Sequence, residues 1–119
     1  SKITPEFEQI FCNLGHHENA SLIFMTQNLM YSNKVYRTLS LNTHYFVLMK
    51  NDRGKHQVSF LSRQACPDNP NYIMQAFNDA TKNPFDYLIL DFRATSPPEI
   101  KLRSHIFPNQ FPVRVYLER

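Results

Sequence analysis

Short apolar runs separated by polar residues and prolines divide this chain into segments. Residues 21–26, 45–49 and 86–91 each contain a continuous apolar run, which predicts strands buried from both sides, as in parallel sheets. Residues 99–104 and 112–117 alternate apolar with charged or polar positions, which predicts half-exposed edge strands. The pattern therefore predicts a sheet whose polar positions concentrate at the strand ends.

Three further stretches have the spacing of helices that are apolar on one face. Apolar residues at i, i+3, i+4 and i+7 predict helices over residues 5–14, 53–65 and 70–81. Pro5 suits the first turn of the first helix, and Gly15 suits its end. Because helices and strands follow one another along the chain, the sequence predicts one α/β domain over residues 1–119.

Composition narrows the class of protein. The 119 residues are 42% hydrophobic, which is enough for one domain with a core. No apolar run reaches the roughly eighteen residues of a membrane span, and the first residues lack a hydrophobic leader. We therefore expect a soluble, intracellular protein without a membrane partner.

The cysteines and the net charge add two weaker indications. Cys12 and Cys66 stand outside any CxxC pair, which suits a reducing compartment. The net charge of +3 slightly favours polyanionic partners.

One nucleotide-binding device is absent from the sequence. No GxxxxGK[ST] segment occurs, and the two glycines, Gly15 and Gly54, cannot form a glycine-rich loop around phosphates. By itself, therefore, the chain cannot be a complete P-loop nucleotide hydrolase.

Polar residues follow three of the predicted strands. They are Thr26-Gln27-Asn28, Lys50 to Arg53, and Asp91. Ligands of open α/β sheets bind at the carboxyl ends of strands, so we expect these three ends to converge on a site. A glutamine at such an end can orient a water molecule, as in GTPases. The alternative is that each strand simply becomes polar where it leaves the core.

Several segments, in order and spacing, carry a resemblance to a known family. They are residues 15–29 (GHHENASLIFMTQNL), 36–42 (YRTLSLN), 45–51, 61–64, 79–81, 87–91 and 102–108 (LRSHIFP). The chain resembles the FtsK/HerA-type DNA-packaging ATPases, above all those of polinton (Maverick) elements and adintovirus-like viruses. The resemblance covers roughly residues 5–108.

The resemblance implies a ring-forming ATPase that pumps double-stranded DNA into viral capsids in the host nucleus or cytoplasm. This chain would be its C-terminal half: a partial RecA-like sheet without the P-loop and Walker B strands. Gln27 would be the sensor glutamine, and Asn28 would contact nucleotide. Arg37 is the first candidate for the arginine supplied to the neighbouring subunit. Arg53 is the second, although the family has Asn-Pro-Arg-Asp where this chain has Asn-Asp-Arg-Gly.

The missing half has two consequences. Mg-ATP would be the cofactor of the full-length protein, whereas the isolated chain is expected to bind none and to be inactive. Without the P-loop strand, the strands at 21–26 and 45–49 would pair directly, remain apart, or pair with a strand from elsewhere. We therefore expect an exposed apolar sheet edge near residues 21–26 that is prone to self-association. A degenerate or domesticated non-catalytic module that binds DNA or protein is the alternative function.

Two smaller sets of residues complete the candidates. Lys101, Arg103 and Arg114 would form a basic stripe that contacts DNA phosphates, the alternative being a solvated strand face. Cys12, His16 and His17 lack the second ligand pair of a structural zinc site, so no metal is expected.

Overall fold

The computed structural model describes residue 6 and residues 21–25, 42–110 and 112–118, with Arg53 described in its backbone alone. Where the sequence predicts one domain, the chain divides into two compact units, Ser1–Thr43 and His44–Arg119. The second unit contains ten of the thirteen basic and seven of the ten acidic residues, and therefore the whole net charge of +3.

The predicted elements of the first unit lie mostly outside the described residues. Of the predicted helix 5–14, Glu6 is described and is helical. Residues 21–25 have no regular secondary structure, and the side chains of Ile23 and Met25 are 86% and 88% exposed. The predicted buried strand 21–26 is therefore wrong over residues 21–25. A continuous apolar run has no period that distinguishes a strand from other structure, so its context decides.

The second unit is a small α/β fold built on a four-stranded antiparallel sheet. Its strands are β1 (Tyr45–Met49), β2 (Tyr87–Asp91), β3 (Leu102–Ser104) and β4 (Arg114–Val115), arranged in the order β1-β2-β3-β4. Two helices, α1 (Lys55–Ala65) and α2 (Pro70–Ala80), connect β1 to β2. The strands and helices of this unit lie close to the predicted ranges.

The parallel pairing expected of the buried strands is wrong for β1 and β2. Tyr45 lies opposite Asp91 and Met49 lies opposite Tyr87, so the two strands are antiparallel. A single crossover helix returns the chain to the start of a parallel strand. Here two consecutive helices reverse the chain twice, and β2 consequently enters from the end where β1 left. A partial RecA-like sheet is not confirmed by this pairing.

Prolines explain why β3 and β4 are shorter than the strands predicted over 99–104 and 112–117. Only β4 is an edge strand, so the predicted edge position of 99–104 is wrong: β3 pairs with both β2 and β4. Pro97 and Pro98 lead into a 3₁₀ turn, Pro98–Ile100, so β3 begins at Leu102 rather than at residue 99. Pro112 has no N–H to donate to a ladder, and β4 begins two residues after it.

The core lies between one face of the sheet and the two helices. Leu48, Leu88, Leu90 and Leu102 project from this face and are at most 6% exposed. The helices cover them with apolar residues that are at most 6% exposed: Val58, Leu61, Ile73, Ala76, Phe77 and Ala80. These residues follow the predicted helical spacing, because burial of one face stabilises short helices.

On the opposite face of the sheet, the outer strands β1 and β4 expose apolar side chains, whereas the β2 residues of that face are buried. Tyr45, Val47 and Met49 alternate with the core residues of β1, and they are 43%, 56% and 51% exposed. Val115 of β4 lies on the same face and is 45% exposed. We call this surface, defined by Tyr45, Val47, Met49 and Val115, the open face.

The segment after β4 is attached to α2 by polar contacts. The Tyr116 hydroxyl donates to Asp79 Oδ2 at 2.7 Å, and the Tyr72 hydroxyl donates to the Tyr116 carbonyl oxygen. Asn69 Nδ2 donates to Glu118 Oε1 at 3.3 Å. Burial, reinforced by the hydrogen bond to Asp79, raises the pKa of Tyr116 to about 12. The tyrosine therefore remains a neutral donor at any physiological pH.

Candidate functional site

The residues that the resemblance assigns to catalysis fall largely outside the described residues. Gln27, Asn28 and Arg37 belong to this group. Arg53 lies in the 3₁₀ turn Asp52–Gly54, directly between β1 and α1, and its side chain is not described. The assignment of these four residues stays a prediction.

Two of the three predicted strand ends do not converge. The Lys50 amide donates to the Asp86 carbonyl at 3.1 Å, at the end of the sheet where β2 begins. The Phe92 amide donates to the His44 carbonyl at 2.8 Å, at the end where β2 finishes. Lys50 and Asp91 therefore lie at opposite ends of the sheet, separated by roughly 17 Å along the strands. The expected convergence of these ends is wrong because β1 and β2 are antiparallel.

A cleft of about 200 Å³ opens at the carboxyl end of β1. Its wall is formed by the turn that follows β1, the first residue of α1 and the last residues of α2. The lining residues are Lys50, Asn51, Asp52, Lys55, Phe77, Asn78, Thr81 and Lys82. The turn that contains Arg53 thus forms one side of the cleft.

Hydrogen bonds shape this cleft. Lys50 Nζ donates to the Lys82 carbonyl at 2.8 Å, which joins the two sides of the cleft. The Gly54 amide donates to the Asn51 carbonyl and side-chain oxygens, both at 3.1 Å. A Cβ at Gly54 would lie 2.6 Å from Asn51 Nδ2, so glycine is required for this approach of the Asn51 side chain.

The cleft is cationic. It is lined by Lys50, Lys55 and Lys82 and by a single carboxylate, Asp52. Asp79, outside the lining, pairs with Lys82 at 3.1 Å. Lys55 is the first residue of α1, where the helix dipole also favours negative charge. The arrangement suits a phosphate or another compact anion.

Asp91 lies at the other end of the sheet, in a closed ion-pair cluster. Its carboxylate is fully buried. Oδ2 accepts from Ser96 Oγ at 2.7 Å and from an Arg103 guanidinium nitrogen at 2.9 Å. Oδ1 accepts from the Arg93 amide at 3.0 Å and from Arg93 Nε at 3.4 Å. Burial alone would raise the pKa of Asp91, but these hydrogen bonds, first that from Ser96 and then those from Arg93, lower it.

With both oxygens engaged, Asp91 is a structural residue rather than a ligand-binding one. The sequence pattern predicts a strand end at Asp91 but not the partners of its carboxylate. The signal that could have found them is the position itself: a carboxylate that completes a fully buried strand needs cations and donors nearby.

The structure does not bring the three predicted DNA-contacting residues onto one face. Arg103 lies opposite Val115 and Arg114 lies opposite Ser104, so the two arginines project from opposite faces of adjacent strands. The Arg103 side chain is 21% exposed and paired with Asp91, whereas Arg114 is exposed. Lys101 precedes β3 and is half-buried.

The described part of the chain contains neither a candidate metal site nor a candidate membrane span. Its His, Cys, Asp and Glu residues form no group of three or more suited to a metal ion, and Cys12, His16 and His17 lie outside it. The helices described here include none with the length and apolar character of a membrane span. No protein-family model, no curated protein and no solved structure matches this chain.

Proposed function

We propose that this chain is the C-terminal portion of an ATP-driven translocase that packages double-stranded viral DNA into capsids. The proposal is supported by the ordered resemblance over roughly residues 5–108. The structural observation that carries it is the cationic cleft beside the turn of Arg53. In a ring of such subunits, this turn would face the nucleotide of a neighbouring subunit.

The chemistry of the cleft fits that position. Phosphoryl transfer develops negative charge on the phosphate oxygens, and a cation from a neighbouring subunit stabilises it. Lys50, Lys55 and Lys82 would hold a positive potential around the turn of Arg53. Arg37 is the first candidate for the arginine that supplies the guanidinium, and Arg53 is the second. Gln27 would orient the attacking water, with Asn28 beside the nucleotide.

Mg-ATP would be the cofactor of the whole protein, and a phosphate-binding loop outside this sequence would make its principal contacts. This chain would contribute charge and water-orienting groups. Its partners would be duplex DNA, further copies in a ring, and the capsid, and it would act in the host nucleus or cytoplasm.

The test of this function uses the native gene product. Its transcript is sequenced, and the product is assayed for ATP hydrolysis stimulated by duplex DNA. We expect the reading frame to include GxxxxGK[ST] upstream of the Ser1 codon, and Arg37→Ala or Arg53→Ala to lower kcat by about 10³-fold or more. A start codon at that position, or full hydrolysis by both variants, would contradict the proposal.

The cleft is tested on the isolated chain by titration with tripolyphosphate, followed by amide chemical shifts. We expect weak, saturable changes at residues 50–55 and 78–82, and an affinity about threefold to fivefold lower in Lys55→Ala, because one exposed cation is lost. Lys101→Ala is the matched control, since Lys101 lies toward the opposite end of the sheet. Equal binding by Lys55→Ala and the native chain would exclude the cleft. Tight binding of ATP would contradict the view that its main contacts lie outside this chain.

The second candidate function is a non-catalytic module that binds DNA or protein. The open face favours it, because its exposed apolar residues suit a contact surface. Binding to duplex DNA, measured over a range of salt concentrations, tests whether the module binds DNA. Binding at low salt that is weaker in Arg114→Ala would support a DNA-binding module. Failure to bind duplex DNA at any salt concentration would exclude it.

A further inference from the structure

The outer edge of β1 presents backbone groups that no other described strand pairs with. Hydrogen bonds from Lys50 to Asp86 and from Phe92 to His44 fix which residues of β1 face β2. The amide and carbonyl groups of even-numbered residues point toward β2, so those of Tyr45, Val47 and Met49 point away from it. No described strand borders β1 on that side.

The same three residues expose their side chains on the open face. Each of Tyr45, Val47 and Met49 is more than 40% exposed. A strand added along β1 would therefore satisfy the outward backbone groups and place its own side chains beside these apolar ones.

β1 lacks the features that usually protect an edge strand. Its five residues include no charge and no proline, and its pairing with β2 is continuous over all five, without a bulge. The other edge of the sheet, β4, is only two residues long and follows Pro112 closely. Among the described strands, β1 is accordingly the edge that is suited to accept a partner.

We propose that a second copy of this chain pairs with β1 in the antiparallel direction, about a two-fold axis at Val47, to form a continuous eight-stranded sheet. The strand is complementary to itself in this register. Tyr45 lies opposite Met49 of the second copy, an aromatic–thioether pair, and Val47 lies opposite its own equivalent. On the core side, Phe46 lies opposite Leu48 of the second copy.

The charges along β1 are compatible with this antiparallel register. No ionised side chain lies within β1, so no like charges oppose one another along the new ladder. At its ends, Lys50 lies opposite His44 of the second copy. Because five-residue strands bury a small area, the association is expected to be weak and to depend on concentration.

The test measures the mass of the full chain by sedimentation over a range of concentrations, with variants at Val47. We expect the mass to rise from 14.1 kDa toward twice that value in the native chain. Val47→Pro removes an outward amide without touching the β1–β2 ladder, and Val47→Lys places a charge on the edge. Both variants are expected to stay monomeric, with unchanged circular dichroism.

Val115→Lys is the matched control, because Val115 lies on the open face at the far edge of the sheet. We expect this variant to associate like the native chain. If Val115→Lys abolishes association while Val47→Pro preserves it, the open faces stack and the edges do not pair, which overturns the proposal. A native chain that stays monomeric at every concentration also overturns it.

Amide hydrogen exchange distinguishes pairing of β1 with a second copy from coverage of its edge by another segment. The amides of Phe46, Leu48 and Lys50 are expected to be protected at all concentrations, whereas those of Tyr45, Val47 and Met49 gain protection as concentration rises. Protection of these three amides in a monomer would show that a segment of the same chain covers the edge, and would contradict pairing with a second copy.

Discussion

Replacing Asp91 with alanine is expected to lower the free energy of unfolding by about 3 kcal/mol, most of the stability of a small domain. The substitution leaves two arginines without their shared carboxylate and releases the 92–96 loop, which Ser96 and the Arg93 amide attach to it. This loss of stability is at the lower end of the range for breaking a buried ion pair, because Arg93 and Arg103 retain contact with solvent. Chemical denaturation at neutral pH measures it.

The stability contributed by Asp91 depends on pH in a defined direction. Its pKa is lower in the folded state than the ordinary value of 3.8, so its contribution is complete above that value and is lost as pH falls through the lowered folded pKa. The difference between the native chain and Asp91→Ala should therefore shrink in acid. Asp68→Ala removes an exposed carboxylate and should change stability by less than about 0.5 kcal/mol. An equal effect of the two substitutions would show that the cluster around Asp91 does not stabilise the fold.

Replacing Phe77 with alanine is expected to cost about 3–5 kcal/mol, enough to unfold much of the population at room temperature. Phe77 is 1% exposed, and it lies on α2 among the residues that pack on the sheet. Removing the ring leaves a cavity that the short helix cannot close by itself. Thermal unfolding followed by circular dichroism measures the loss.

Phe85→Ala provides the matched control, because it deletes the same ring at a position that is 88% exposed. We expect its stability to change by less than about 0.5 kcal/mol. A native-like melting temperature in Phe77→Ala would mean that the helices are not held to the sheet by this core.

Local signals sufficed for most elements of the second unit. The spacing around Val58, Leu61, Ile73 and Phe77 identified both helices, since each can bury one face only in a helix. The apolar runs around Leu48 and Leu88 identified two strands. The same kind of run at residues 21–25 led to a wrong strand prediction, because such runs have no periodicity that specifies their partner.

The candidate site was predictable only in part. Polar residues after β1 were identified, and Lys50, Asn51 and Asp52 do line the cleft. Lys82 and Asn78, which form its other side, were not identified. They come from the end of α2, and which strand end this helix end packs beside depends on tertiary contacts. Asp91 was placed beside Lys50 in the expected site and lies at the opposite end of the sheet.

The sequence by itself determined which segments of the second unit become helices and strands and that it contains no glycine-rich phosphate loop, because periodicity and composition are local properties. Only the tertiary structure decided that β1 and β2 run antiparallel, that Asp91 closes an ion-pair cluster, and that Arg103 and Arg114 face opposite ways. These outcomes follow from strand direction and register, which depend on contacts between residues far apart in the chain.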